Sequence, residues 1–223
     1  MHLIKIGLIP LGLIIVLLQL LPFGESPPEE PEVEPPVKGW WMVSYFTVPP
    51  TEYSRAGKGI IKAESRGSRS SLFKEVKEEQ QDFPVLTWKW KISNVVHSAI
   101  ETRKDRFDTA ARVMVVFVGP IRPGKIEGGE PWGLRIEYIW ANHLPRGHLF
   151  DHPGEKNTKV FVLESGDSRA GQWVEERRNL HKDFTAAFGS EPTGLLAIGI
   201  QTDTDHSNEM VTAYYADPTL RKK

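Results

Sequence analysis

From residue 39 onward the chain consists of short segments of β-branched and aromatic residues, separated by Gly, Pro, Asn or Asp. The first group of residues favours strands and the second favours turns. The pattern predicts strands at 41–46, 59–64, 85–92, 111–118, 134–140, 159–164, 172–180, 195–202 and 211–215. Because the turns are too frequent for βαβ units, we predict an all-β fold, a β-sandwich of jelly-roll type.

One segment has helical spacing. Phe184 and Phe188 lie four residues apart and share a face, and Gly189 and Pro192 follow as stop signals. We therefore predict one short helix at 182–188.

An apolar run occupies residues 6–23, with Lys5 before it and only acidic residues close behind it. As a helix this run would be roughly 27 Å long, near the lower limit for crossing a bilayer. The flanking charges favour an N-terminus inside and a C-terminal part outside the cytoplasm. Residues 1–24 are thus a signal peptide or a membrane anchor, and the lack of a small-residue cleavage site favours the anchor.

Residues 25–38 are rich in Pro and Glu. Proline fixes φ and the glutamates repel one another, so we predict an extended, disordered linker between the apolar segment and a folded domain at 39–223. The net charge is −1, which gives no sign of a nucleic-acid protein. The chain has no cysteine, so disulfides, thiolate metal sites and a cysteine nucleophile are excluded.

A strand with charges on both faces is predicted at 172–180. Glu175 and Arg177 alternate with Glu176 and Arg178. An unpaired buried charge costs roughly several kcal/mol. The charged side chains of this strand must therefore pair inside the fold or face a ligand. This strand and the aspartates that end the 195–202 strand are the main sequence signal for a site.

Arg112 stands between alanines at the start of an apolar strand. An arginine there needs a carboxylate, and Glu175, Asp203 or Asp205 could supply one. An internal ion-pair network is the favoured interpretation and a ligand-facing role is the alternative. Both predict that Arg112 lies near the charged strand.

Two pairs of residues are spaced so that their members share a strand face. Trp88 and Trp90 form either part of the core, which we favour, or a stacking platform for sugar rings. Asp203 and Asp205 are either turn-forming residues, which we favour, or ligands for Ca²⁺.

Two catalytic or metal-binding interpretations are weaker. Glu175 and Glu176 are adjacent and point to opposite faces, so a glycosidase would need Glu175 paired with an acid such as Asp203. His143, His148 and His152 could bind zinc, but the Pro- and Gly-containing spacing favours a mobile surface loop.

Six ordered motifs resemble those of one exported bacterial family, the domain of unknown function numbered 3047. They are FPVLTWKWK (83–91), DTAARV (108–113), YIWAN (138–142), WVEERRN (173–179), DF with AFG (183–184 and 187–189) and TDTD (202–205). The resemblance covers about 39–220. It implies an exported or envelope β-sandwich similar to galactose-binding and carbohydrate-binding jelly rolls, and it implies no activity.

We therefore expect a periplasmic or inner-membrane-anchored module that binds an envelope saccharide without catalysis. The candidate ligand-binding residues are Trp88, Trp90, Arg112, Trp140, Asn142, Glu175, Arg177, Asp203 and Asp205. Two alternatives from other classes stay open, a glycan-directed hydrolase and a structural or interaction protein of the cell envelope. No cofactor is expected apart from the Ca²⁺ alternative, the membrane is contacted through residues 6–23, and no nucleic-acid partner is expected.

Overall fold

A computed structural model describes residues 36–119 and 130–222, all within the unit Glu34–Lys223. The apolar segment at 6–23 and nearly all of the linker at 25–38 lie outside the described residues, so those assignments stay predictions. None of the helices in the described part of the chain has both the length and the apolar character that crossing a membrane requires.

The described residues form twelve strands and one α-helix. The strands are β1 (Trp41–Ser44), β2 (Glu52–Arg55), β3 (Ile60–Arg66), β4 (Ser70–Glu75), β5 (Val85–Ile92), β6 (Thr109–Phe117), β7 (Leu134–Ala141), β8 (Leu149–Asp151), β9 (Thr158–Ser165), β10 (Val174–Asn179), β11 (Leu195–Asp203) and β12 (Met210–Arg221). The helix is α1 (Leu180–Phe188), and 3-10 turns occur at Glu78–Gln80 and Lys104–Arg106.

The strands form two sheets. The seven-stranded sheet has the order β1-β4-β11-β6-β7-β9-β8, and the five-stranded sheet has the order β10-β5-β12-β3-β2. Neighbours are antiparallel except for β7 and β9, which are parallel. The prediction of an all-β sandwich with one short helix is confirmed for the described residues.

Three strands, β2, β4 and β8, are absent from the set that the sequence predicts. The sequences of β2 and β8 are short and partly polar, and β4 begins with two serines. Each lies beside a longer strand, β3, β11 and β9 respectively, whose backbone supplies its hydrogen-bond partners. Their conformation therefore depends on tertiary pairing more than on local propensity.

Helix α1 agrees with its sequence signals. The Asn179 side chain accepts a hydrogen bond from the Lys182 backbone N–H at 3.0 Å, which caps the first turn. Gly189 ends the helix with φ of 74°, a left-handed conformation that glycine adopts without steric cost. The buried Phe184 ring packs on Phe117 of β6 with centroids 4.6 Å apart, so the helix is anchored on the core.

Tryptophans and tyrosines fill the space between the two sheets. The Trp88 and Trp90 rings of β5 meet edge to face at 5.5 Å, and each also packs on a ring of β7, Tyr138 at 5.4 Å and Trp140 at 5.9 Å. All four side chains are buried. Since each buried ring removes about 150–250 Å² from water, this cluster is a major source of stability.

The outer face of the seven-stranded sheet is buried as well. All nine residues of β6 are buried, although only alternate ones point toward the other sheet. Val113 and Val115 belong to the inter-sheet core, whereas Met114 and Val116 pack in a separate cluster with Phe73 of β4. Arg112 shares the outer face with Met114, and this covered outer face carries the polar network described next.

Candidate functional site

Arg112 is the centre of a buried ion-pair network. Its side chain is 2% exposed, and its Nη1 lies 3.1 Å from Glu137 Oε2 on β7 while Nη2 lies 3.3 Å from Asp203 Oδ2 on β11. The Phe107 ring covers the guanidinium at 4.6 Å from its centroid. Arg112 lies on β6, the middle one of the adjacent strands β11, β6 and β7. It therefore pairs with one carboxylate on each neighbouring strand.

Asp203 is fully engaged. Its Oδ1 accepts hydrogen bonds from the backbone N–H of Thr109 at 2.9 Å and from the Thr109 hydroxyl at 2.8 Å, and its Oδ2 accepts one from Gln201 Nε2 at 3.0 Å. With the ion pair to Arg112, these contacts offset the cost of burying the carboxylate. The predicted pairing of Arg112 with Asp203 is therefore present in the structure.

The network continues along β7 to the surface. Arg135 is 3.7 Å from Glu137, 3.0 Å from Glu155 and 2.6 Å from Glu130. Both partners at the surface, Glu130 and Glu155, have side chains that are 32% exposed. The charges therefore run from a sealed interior at Arg112 to a site that solvent reaches at Glu155.

The electrostatics follow from burial opposed by these pairings. Burial alone would lower the pKa of Arg112, but Asp203 and Glu137 together raise it above its usual range. Burial alone would raise the pKa of Glu155, but Arg135 and then His152 lower it. Burial lowers the pKa of His152. Arg112 and Glu155 are thus held charged, while His152 is neutral at pH 7.

Two adjoining hollows open above this network. The first has a volume of about 290 Å³ and the second about 460 Å³, and Glu155 lines both. We call them together the double groove. The first is lined by Glu130, Pro131, Trp132, Gly133, Arg135, Glu155, Lys156, Asn157 and Thr158, and the second by Arg69, Lys104, Asp105, Phe107, His152, Gly154, Glu155 and His206.

The predicted tryptophan residues do not line a groove. Trp88, Trp90 and Trp140 are 3%, 0% and 1% exposed and lie in the inter-sheet core. The core interpretation of Trp88 and Trp90 matches the structure, and a saccharide platform built from them does not. The reason is their position on β5, whose apolar face points at the opposite sheet.

The charged strand β10 lies away from Arg112. It pairs with β5 in the five-stranded sheet, where the exposed Glu175 forms a 3.1 Å ion pair with Lys89 on the outer surface. Arg177 is exposed on the same surface. The expectation that these residues lie near Arg112 is wrong, because β10 and β6 belong to different sheets and these side chains point outward.

Glu175 and Asp203, the acid pair that a glycosidase would need, are far apart. Glu175 lies on the outer surface of one sheet, and Asp203 is buried on the outer face of the other with 1% exposure. The two carboxylates have the whole sandwich between them. They cannot flank one glycosidic bond.

Asn142 and Asp205 have local roles. Asn142 donates from Nδ2 to the backbone oxygen of His97 at 2.7 Å and so fixes the loop after β5. Asp205 lies in the turn after β11, where its potential metal-ligand oxygen lies within 4.8 Å of ligand atoms of Asp108 and His206. Asp203 is occupied by Arg112 and Thr109, so the structure provides no Asp203–Asp205 pair for Ca²⁺.

Asp108 also has its partners. It accepts hydrogen bonds from His206 Nδ1 at 2.9 Å and from the Ser207 backbone N–H at 2.8 Å. This pattern is that of a carboxylate that shapes a turn. Asp203, for which a turn-forming role was favoured, lies instead in β11 and pairs with Arg112.

The histidine-rich segment is ordered by a strand. Leu149–Asp151 forms β8 on the edge of the seven-stranded sheet, and the His152 side chain that follows is only 6% exposed. The backbone N–H of His152 bonds to Thr158 O at 3.1 Å. The interpretation as a mobile surface loop is therefore wrong for His152, because β9 supplies a partner strand for a segment with no strand pattern of its own.

Several residues of the double groove and of the adjoining ion-pair network were missed in the sequence. Arg135 and Glu137 alternate with Ile136 and Tyr138 in β7, so the same rule that singled out Arg112 applies to them. Trp132, Glu155 and Arg69 lie in irregular connecting segments, where no periodic signal marks a functional residue. Only the three-dimensional arrangement brings these segments together.

Comparison with solved structures found chains of similar architecture. The xyloglucanase domain of NopAA, a type three effector from Sinorhizobium fredii in complex with cellobiose, is 9% identical with a TM-score of 0.44, covering 83% of this chain and 94% of that one. A family 30 carbohydrate-binding module of a cellulosomal cellulase of Clostridium thermocellum is 10% identical with a TM-score of 0.39, covering 83% and 93%. A family 12 xyloglucanase from Bacillus licheniformis is 11% identical with a TM-score of 0.39, covering 83% and 88%.

A comparison with curated proteins found no match. A family model matches residues 38–219, which is nearly all of the described domain, and it confirms the resemblance carried by the six motifs. The chain belongs to the family described as "Protein of unknown function (DUF3047)".

Proposed function

We propose that the domain is a non-catalytic saccharide-binding module and that the double groove is its binding site. The observation that carries this proposal is the position of Trp132. It is 55% exposed and lines the first hollow beside Arg135 and Glu155. A large aromatic surface next to a few fixed polar groups is the arrangement that orients a ligand carrying both apolar and polar faces.

The polar groups of the groove suit a polyhydroxylated ligand. Glu155 offers carboxylate acceptors, whereas Arg135 and Lys156 offer donors. Sugar hydroxyls both donate and accept, so each can bond to groups of either kind. The buried pairs among Arg112, Glu137 and Asp203 hold the floor of the site, which lowers the cost of ordering these groups on binding.

The acid–base properties favour binding over hydrolysis. A glycosidase needs one carboxylic acid that stays protonated near neutral pH, which requires a raised pKa. In the double groove burial favours the protonated form of Glu155, but Arg135, His152, Arg112 and Thr158 together outweigh it and lower the pKa. Glu155 is therefore a carboxylate at neutral pH and acts in this proposal as a hydrogen-bond acceptor.

The proposal extends to cellular context through the sequence. We infer that residues 6–23 are an export signal or an inner-membrane anchor, that the domain lies outside the cytoplasm, and that the ligand is a saccharide of the cell envelope. We also assign the sandwich to the jelly-roll, galactose-binding-like type. Protease accessibility of the domain in spheroplasts tests the orientation, because only an exported domain is digested without lysis.

The binding test uses the full chain in a detergent with a polyoxyethylene head group, since sugar head groups would compete. Isothermal titration against a panel of neutral and acidic oligosaccharides should reveal binding that Trp132→Ala weakens by about tenfold or more, the expected effect of losing one buried aromatic contact. Trp173→Ala is the matched control, because Trp173 is 41% exposed but packs on Tyr214 of the other sheet.

Three outcomes would contradict the proposal. Equal losses in the Trp132 and Trp173 variants would exclude the double groove as the site. Release of reducing ends from any member of the panel would establish catalysis. A chain that binds no member of the panel would favour the alternative of a structural or interaction protein.

A further inference from the structure

The charged side chains that line the second hollow differ in whether they have partners. The acidic residues are paired: Asp105 lies 2.6 Å from Arg103, and Glu155 lies 3.0 Å from Arg135. His206 is also paired, at 2.9 Å from Asp108. Once these pairs are set aside, the charges left in this hollow belong to Arg69 and Lys104.

Arg69 is the more informative of the two. Within the described residues no carboxylate oxygen lies within 4.0 Å of its guanidinium, which instead stacks on the Tyr45 ring at 4.2 Å. Its Nε is buried and has no hydrogen-bond acceptor. The side chain is only partly exposed, so a ligand carboxylate in the hollow would meet an arginine that has no carboxylate in direct contact.

His152 also lines this hollow, but its Nε2 is not accessible to a ligand there. Its Nδ1 accepts a hydrogen bond from the Gly154 backbone N–H at 3.0 Å, so the proton of the neutral ring is on Nε2. This Nε2 is buried without a hydrogen-bond partner, and the nearest carboxylate oxygen, Glu137 Oε2, is 4.0 Å away. The potential ligand atoms of Glu137, His152 and Glu155 lie within 4.8 Å of one another, and a metal bound through Nε2 would require the other tautomer of His152.

Acidic groups near the hollow do not cancel the charges of the two cations. Glu137 is 0% exposed and is held by Arg112 and Arg135. Asp203 and Asp205 attract the charge of Arg69 from beyond ion-pair distance, and neither of them lines the hollow. The hollow therefore presents two cations, Arg69 and Lys104, that have no carboxylate within ion-pair distance among the described residues.

We propose that the second hollow binds the carboxylate of an acidic sugar residue, a uronic acid, with Arg69 and Lys104 as its counter-charges. This inference rests on the proposed function and narrows it, because it makes the saccharide an acidic one. Trp132 in the first hollow would contact a neighbouring sugar ring, and Glu155 lies between the two positions.

The test compares matched ligands. Full-length protein in polyoxyethylene detergent is titrated with oligogalacturonate and hyaluronan oligomers and with the same oligomers after reduction of their carboxyl groups to alcohols. At least one acidic oligomer should bind about 10- to 100-fold more tightly than its reduced form, which is the value of one or two charge-assisted hydrogen bonds. Higher salt should reduce this difference.

Variants locate the effect. Arg69→Gln should remove about tenfold of the affinity for the acidic oligomer and leave the affinity for the reduced form unchanged, whereas Arg69→Lys should restore part of the loss. Lys104→Gln, on an exposed side chain, should act in the same direction without risk to folding. Arg66→Gln is the control, since Arg66 is an exposed arginine at the end of β3 that does not line the hollow.

The outcomes separate the two proposals. If acidic and reduced oligomers bind equally well and Trp132→Ala weakens both, the carboxylate site is wrong and the saccharide site stands. If neither the acidic oligomers nor their reduced forms bind, the carboxylate site is wrong, and the saccharide site is then decided by the neutral oligosaccharides of the wider panel. If inorganic phosphate or a sugar phosphate displaces the acidic oligomer and binds more tightly, the hollow recognises phosphate and the assignment to a uronic acid is wrong.

Discussion

At the scale of single residues, Arg112 shows what a buried charge requires. Its position between alanines in an apolar strand predicts a carboxylate partner, and the structure provides Asp203 on one neighbouring strand. Glu137, the partner on the other side, was missed although β7 carries it between Ile136 and Tyr138. The sequence shows that a partner is needed, but which strand is adjacent is a property of the sheet order.

Replacing Arg112 by methionine should destabilise the protein strongly. The change leaves the carboxylates of Asp203 and Glu137 buried without their cation, and breaking a buried pair in this way costs about 3–5 kcal/mol. Urea unfolding followed by tryptophan fluorescence measures the change in the free energy of unfolding. Arg103→Gln is the control, because its ion pair with Asp105 is exposed and its loss should leave stability unchanged.

A loss of stability no larger in the Arg112 variant than in the Arg103 variant would show that the network contributes little. In that case the role of Arg112 as the support for the double groove would also be lost.

At the scale of elements, β10 divides its charges between two environments. Glu175 points outward to Lys89, whereas Glu176 lies opposite Trp88 and points toward the core side of the sheet. Burial, and to a smaller extent Glu164, raises the pKa of Glu176 from 4.5 to about 7. The sequence correctly indicates that adjacent glutamates differ in orientation, but it does not indicate which of them is buried.

The stability of the protein should therefore depend on Glu176 between pH 4.5 and 7. The folded state holds the proton more tightly than the unfolded state, so the contribution is complete below pH 4.5 and is lost as the pH rises through about 7. Glu176→Gln should flatten this dependence and, at pH 8, stabilise the protein by about 1–2 kcal/mol after allowance for solvent screening.

Thermal or urea unfolding at pH 4, 6 and 8 measures this effect. Glu175→Gln is the control on the neighbouring position, and its pH profile should match that of the wild type. A Glu176 variant with an unchanged profile would mean that the carboxyl group reaches solvent in the folded state.

Elements of the chain differ in how far their sequence determines them. Helix α1 has a cap, an apolar face and a stop glycine, and its position was predicted within two residues. Strand β8 has only three residues and exists because β9 pairs with it. The double groove depends on elements of the second kind, since His152 and Glu155 are placed by that pairing, which is why sequence patterns pointed elsewhere.

At the scale of the whole molecule, the aromatic layer between the sheets should control stability and leave ligand binding unaffected. Trp90 is 0% exposed and touches both Trp88 and Trp140. Trp90→Ala should lower the free energy of unfolding by about 3–5 kcal/mol. Per folded molecule, the affinity for any saccharide should be unchanged, because the Trp90 ring does not line the double groove.

Urea unfolding gives the first quantity and titration below the unfolding transition gives the second. If Trp90→Ala stays fully folded but binds saccharide more weakly, Trp90 belongs to the binding site. That result would contradict the placement of the site on the outer face of the seven-stranded sheet.

Glu155 is the wall common to both hollows, and this position has a consequence for ligand architecture. Under the proposed function, this side chain would set the spacing of sugar units that fits both hollows, so the linkage would be selected along with the sugar type. Shortening the wall, as in Glu155→Ala, would merge the compartments and release Arg135 from one of its partners. Such a variant should bind branched or differently linked chains as well, and so distinguish less sharply between linkages.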